Sequence, residues 1–255
     1  MQAEQSNFSR DSIVAKGTHD YVSYVDKNAE HMLVNDLARL LPEAGFIAEE
    51  GTSNSRGVKY NWIIDPLDGT TNFIHGAPPY AVSVALMEEK KIVLGVVYEI
   101  TLDECFSSAT GLPVSRNGFE VNVSDIDTVE GSLIATGLPH ADRERGNTFS
   151  DTFSDIFMGI IKDLSQHSHG VRRPGSAATD LAYVACGRFD AFFQYNLQPW
   201  DVAAGAFLVN QAGGHCSSFT GDTDYIFGKE IVATNGLIHK EFLPKVTRLH
   251  TKRFD

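Results

Sequence analysis

Two aspartates three positions apart mark the chemically densest stretch of the chain, Asp65-Pro66-Leu67-Asp68-Gly69-Thr70-Thr71-Asn72. Pro66 fixes its own φ and Gly69 permits a tight backbone, so a turn here can aim both carboxylates at one point. The Leu67 carbonyl is then a possible third oxygen, and hard cations such as magnesium take carboxylate, carbonyl and water oxygens. If Gly69-Thr70-Thr71 opens a helix, its free N–H groups face an anion. Asp-Pro and Asp-Gly are also common turn dipeptides, and only their conjunction behind Trp62-Ile63-Ile64 argues for chemistry. Glu49-Glu50 before Gly51 reads either as an acidic pair or as a solvated loop. Asp201 after Trp200 is a natural N-cap, Asp26 can cap a helix of its own, and Ser176 suits the same position before Ala177.

These residues need elements to position them. From Asp26 the apolar Ala29, Leu33, Leu37 and Leu40 recur at helical spacing until Pro42 ends the run. Trp62-Ile63-Ile64 reads as a buried strand emptying into the Asp-Pro turn. Residues 80–86 and 92–98 predict a hairpin or meander across the polar Glu88-Glu89-Lys90-Lys91, and 132–135 a further strand. Helices are predicted over 149–164, over 177–186 with Gly187 as its stop, and over 202–212, with a strand over 190–195. The polar stretch 122–130 marks an internal boundary between an N-terminal sheet-and-helix half, 1–124, and a C-terminal α/β half, 125–255. Strands and helices interleaved in blocks predict a layered α/β or α+β class.

Composition narrows the chemistry. The 255 residues are 42% hydrophobic and 21% charged, as in ordinary soluble globular proteins. A net charge of −12 opposes binding to a nucleic-acid polymer. It does not oppose a small phosphate ester, because bound divalent cations invert the local field. The three cysteines are scattered with no Cys-x-x-Cys pair, which argues against disulfides or thiolate zinc and for a reducing cytoplasm. The first ten residues are polar, and the densest apolar stretch, 202–209, is far short of the ~20 residues a membrane helix needs. His75, His140, His167 and His169 lie in polar or turn-like contexts, and no His-x-x-x-His pair offers an imidazole metal site.

At this point the sequence stops being generic. The run from Trp62 to Phe73, and Trp200-Asp201-Val202-Ala203-Ala204-Gly205, resemble the two signatures of the inositol monophosphatase family. Glu49-Glu50 resembles that family's acidic pair, Asp26 its upstream aspartate, and Lys16 its basic loop residue, so the resemblance covers nearly the whole chain. It implies the layered sugar-phosphatase fold, with both halves in one catalytic unit and the site between them. Glu49, Asp65 and the Leu67 carbonyl would hold one magnesium, and Asp65, Asp68 and Asp201 a second. A third, weaker ion would sit near Glu49. The Gly69 and Thr70 amides, beside Asp68 and Asp201, would receive the phosphate. Thr70, hydrogen-bonded to Asp26, and Glu49 would orient and deprotonate the attacking water.

The implied reaction is Mg²⁺-dependent hydrolysis of a small phosphorylated alcohol or sugar, inositol monophosphate first, by a cytoplasmic homodimer. A fructose-1,6-bisphosphatase, an NADP(H) phosphatase and a nucleotide 3′-phosphatase share that scaffold. A catalytically idle relative would lack a ligand or the water-activating pair, and all of these are present. Gly175, Ser176 and Ala177 would border the alcohol half of the substrate. Arg172, with Arg173, would either bind a second anionic group or pair with carboxylates at an interface. Gln194 departs from the pattern, since inositol-preferring members carry Glu there. Gln keeps an acceptor oxygen but gains two donors and loses the charge, which favours a different or more anionic alcohol. The N-terminus departs too, because family members usually carry another helix before the lysine loop.

Overall fold

The computed structural model describes residues 14–17, 20–22, 24–53, 55–138 and 151–250. An antiparallel pair, β1 (Val14–Gly17) and β2 (Asp20–Val22), precedes α1 (Tyr24–Leu40). Next come β3 (Gly45–Ala48), β4 (Tyr60–Asp68), the short α2 (Thr70–His75), β5 (Ala81–Glu88) and β6 (Lys91–Glu99). β7 (Glu104–Ala109), β8 (Ser115–Arg116) and β9 (Phe119–Glu120) complete a seven-stranded sheet in simple chain order from β3. β3 and β4 are parallel; each later pair is antiparallel.

Residues 121–132 carry neither strand nor helix. Beyond them lie β10 (Leu133–Thr136), α3 (Asp151–Gln166), β11 (Gly170–Arg172) and α4 (Ala177–Ala185). The chain ends in β12 (Ala191–Tyr195), α5 (Pro199–Gln211), β13 (His215–Ser217), β14 (Glu230–Thr234) and α6 (His239–His250). Here the sheet order is β11-β10-β12-β14-β13, with the first three strands parallel.

Side-chain alternation along the strands builds the layers. On β4, Trp62 and Ile64 pack with Leu33, Val34, Leu37 and Leu41 of and just beyond α1, whereas Ile63 faces α4 and α5. On β12, Phe192 faces those same two helices while Ala191 and Phe193 face α3 and α6. The stack is therefore α1, the larger sheet, α4 with α5, the smaller sheet, and α3 with α6. Both faces of the central strands are covered, which is why they read as continuous apolar runs. α5 lies in the middle layer and is buried almost all round, through Val202, Ala203, Ala204, Ala206, Leu208 and Val209.

Several local expectations need correction. α1 begins at Tyr24, so Asp26 lies inside its first turn and is no cap. Leu40 is 75% exposed, and Leu41 packs against the sheet in its place. β4 does not end before the Asp-Pro dipeptide but runs on to Asp68. α5 begins at Pro199, which puts Asp201 at its third residue, with Gln198 as the cap. The hairpin, the strands at 133–136 and 191–195, and the Ser176 cap of α4 match expectation.

Candidate active site

In a regular strand, residues three apart point to opposite faces, so Asp65 and Asp68 could not share a target. β4 solves this with a bulge. Asp65 pairs with Ser83 and Asp68 with Ala81 on β5, three residues opposite two, and the extra residue returns Asp68 to the side of Asp65. Pro66 occupies that bulge, where its missing N–H leaves no ladder bond unmade. The Leu67 N–H donates to Asp65 Oδ1 at 2.9 Å. Gly69 then takes the left-handed conformation, φ +89°, that turns the chain from strand into α2. Leu67, Phe73, Tyr80 and Ile100 form the apolar floor beneath, with Phe73 and Tyr80 edge to face at 5.3 Å.

Two further carboxylates reach this point from elsewhere. Glu49 follows the last residue of β3, and its N–H still donates to Ile64 of β4 at 3.3 Å. Asp201 accepts the Gln198 N–H on Oδ2 at 2.7 Å, an interaction that also satisfies the start of α5. Ser83, the partner of Asp65 in register, donates its hydroxyl to the Trp200 carbonyl at 3.1 Å and so ties the start of α5 to β5. Asp65, Asp68 and Asp201 each present a ligand oxygen within 4.8 Å of the others, and Glu49 stands beside Asp65. Asp68 is held by α4, accepting the Ser176 hydroxyl at 2.6 Å and the Ala178 N–H at 2.7 Å on Oδ2.

Asp65 is buried and its acidic neighbours are half-buried, and Asp65 and Asp68 resist ionising. Burial pushes the Asp65 carboxyl well above its ordinary range, and Glu49, Asp68 and Asp201 push it the same way. Burial raises Asp68 to about 6 despite the hydrogen bonds from Ser176 and Ala178. An all-oxygen, mutually repelling donor set fits a hard divalent cation such as Mg²⁺. Among the described residues no histidine belongs to the group, and His140 lies outside them.

Thr70, the first residue of α2, places its hydroxyl 3.1 Å from Asp26 Oδ1 and 3.0 Å from the Leu67 carbonyl. Asn72, to which the sequence assigned no role, donates to Pro79 O and Pro174 O at 2.8 Å each, holding the loop before Gly175 against the site. Ser176 and Ala177 are buried, and the Ser176 hydroxyl is spent on Asp68 and on α4. Arg172 is exposed, its guanidinium folded back to donate to the Val171 carbonyl at 3.1 Å. Gln194 is half-buried toward the end of β12. Lys16 falls on β1, paired with β2, rather than in a loop. Asn72 and Ser83 escaped the sequence reading because their partners lie up to 117 positions away.

A profile of the inositol monophosphatase family matches residues 1–251. The chain belongs to this family. Nus factor SuhB of Pseudomonas aeruginosa is 39% identical over 238 residues, 92% of this chain and 86% of that protein. Inositol-1-monophosphatase of Mesorhizobium japonicum is 38% identical over 235 residues, 91% and 85% of the two chains. Among solved structures, the IMPase of Thermotoga maritima superposes with a TM-score of 0.86 at 31% identity, over 99% of this chain and 92% of that one. Membership brings with it the layered α/β fold and phosphoric monoester hydrolase activity on small phosphorylated substrates, in a family that is generally magnesium-dependent. Among the described residues no helix is long and apolar enough to cross a membrane.

Proposed function

We propose that the chain hydrolyses a small phosphomonoester, inositol monophosphate first, with magnesium at the acidic cluster, as a cytoplasmic homodimer. The observation that carries this reading is the convergence of Glu49, Asp65, Asp68 and Asp201. Glu49, Asp65 and the Leu67 carbonyl would hold one ion, and Asp65, Asp68 and Asp201 a second. A third ion would be held more weakly near Glu49. When bound, magnesium offsets the carboxylate repulsion, draws in the phosphate and lowers the pKa of a water.

The chain's own groups do the rest. The Thr70 hydroxyl has one proton, and a carboxyl oxygen of Asp26 accepts it in preference to the Leu67 carbonyl. The Thr70 oxygen is then left as an acceptor that orients a water, whose proton passes to Glu49. The N–H groups of Gly69 and Thr70, at the start of α2, would receive the phosphate, beside Asp68 and Asp201. Gln194 and Arg172, with Gly175, Ser176 and Ala177 as the adjoining wall, border the alcohol half.

A phosphate-release screen with and without Mg²⁺ tests this reading, across inositol phosphates, sugar bisphosphates, NADP and nucleotide 3′-phosphates. Mg²⁺-dependent release, greatest from inositol monophosphate, is the expected result. Metal-independent release, or none from any ester, would contradict the mechanism; a preference for another ester would overturn the substrate alone. The identity to a protein named as a Nus factor supports a second role as a binding partner in transcription. Such a role would survive loss of Asp201, whereas hydrolysis would not.

A further inference from the structure

α1 turns two carboxylates inward one helical turn apart, Asp26 and Glu30, and both are fully buried. Asp26 is accounted for by Thr70. Glu30 has no part in the chemistry proposed above, yet an ionised carboxyl is kept out of water only where hydrogen bonds replace its hydration. Both of its oxygens are so matched. Oε2 accepts the Glu50 N–H at 2.7 Å and Oε1 accepts the Thr52 N–H at 2.7 Å.

Those two N–H groups belong to the segment that carries Glu49 away from β3. The Glu50 N–H shares one planar peptide with the Glu49 carbonyl, so anchoring it fixes ψ of Glu49. On the other side, the Glu49 N–H is bound to Ile64 O of β4. The Glu49 Cα is therefore held from both flanks, by the sheet before it and by α1 after it. We propose that Glu30 is the positioning residue for Glu49, a carboxylate clamp on backbone N–H groups that aims the Glu49 carboxylate at Asp65 and thereby sets the affinity of the cation site. α1 thus carries, on one rigid element, both the acceptor for the Thr70 hydroxyl and the anchor for Glu49. The inference rests on Glu49 being a metal ligand.

Glu30→Gln is the informative variant, because it keeps the shape and one acceptor oxygen while turning an NH₂ group toward the second backbone N–H. In metal-free wild-type protein, the amide protons of Glu50 and Thr52 should exchange at least about a hundredfold more slowly than in a free peptide. In Glu30→Gln at least one of them should lose that protection, and the midpoint for Mg²⁺ binding by calorimetry should rise about tenfold. Turnover at saturating Mg²⁺ should fall as well, because Glu49 also takes the proton of the attacking water, so the Mg²⁺ midpoint is the readout that decides. Unprotected amides in the wild type would overturn the clamp without recourse to any variant. A folded Glu30→Gln that is less stable but has an unmoved Mg²⁺ midpoint would reduce Glu30 to a structural acid. Absence of Mg²⁺ binding in the wild type would instead remove the metal reading on which the inference stands.

Discussion

Asp68 carries two demands on one side chain. Its Oδ2 takes two hydrogen bonds from the start of α4, which favour the ionised form, yet burial still lifts its pKa to about 6. Asp65 is lifted too, by burial and by three neighbouring acids. A carboxyl whose folded pKa lies above its unfolded value binds its proton more tightly when folded. The stability it contributes is complete below its unfolded value of 3.8 and is lost as the pH rises through about 6. Magnesium competes with those protons and gains most where the carboxylates are ionised. The stabilisation conferred by Mg²⁺ should therefore be small near pH 4 and grow to several degrees in Tm above about pH 7. Paired thermal melts with and without Mg²⁺ across that range isolate the cluster from acids elsewhere, and a gap independent of pH would contradict the assignment. Asp65 and Asp68 were legible because two acids beside Pro and Gly are an unusual local statement. Glu30, Ser83 and Asn72 were not, since a buried acceptor in α1 or a hydroxyl on β5 acquires meaning only when the fold delivers its partner.

At the scale of elements, what misled was the punctuation. Asp-Pro and Asp-Gly argue for a turn, and β4 absorbs the first of them as a bulge because Pro66 needs no ladder partner there. Asp201 looked like a cap and does satisfy a helix terminus, but from the third position, where its carboxylate can also join the cluster. The parallel strands β10 and β12 end side by side, and their ends set another relation that no local pattern reveals. A Cβ at Gly137, the residue after β10, would lie 2.0 Å from Gln194 Oε1 and 2.1 Å from its Cδ. The Gln194 amide occupies that space, so Gly137→Ala must drive it to another rotamer. If Gln194 reads the alcohol, that substitution should change the kcat/KM ratio between inositol monophosphate and a sugar phosphate by about tenfold, and do nothing further in a Gln194→Ala background. Kinetics on the four proteins of that cycle decide it, and an unchanged ratio in Gly137→Ala would remove Gln194 from recognition.

For the whole molecule, the layering explains why the site lies where it does. The larger sheet supplies Glu49, Asp65 and Asp68 from the ends of two parallel strands, and the helices between the sheets supply Asp201 and the groups that hold Asp68. The layered class was legible in the interleaving of strands and helices. The order of the layers was not, because a strand covered on both faces shows no alternation from which a partner could be read. The convergence of residues more than 130 positions apart is the central claim, and Asp201→Asn addresses it with the least disturbance. The amide oxygen can still accept the Gln198 N–H that starts α5, while the charge contributed to the cluster is gone. Mg²⁺-dependent phosphate release from inositol monophosphate should fall by more than about a hundredfold in this variant, with the circular dichroism spectrum and cooperative melt of the wild type retained. Wild-type release from a folded Asp201→Asn protein would show that the cluster is not the catalytic site.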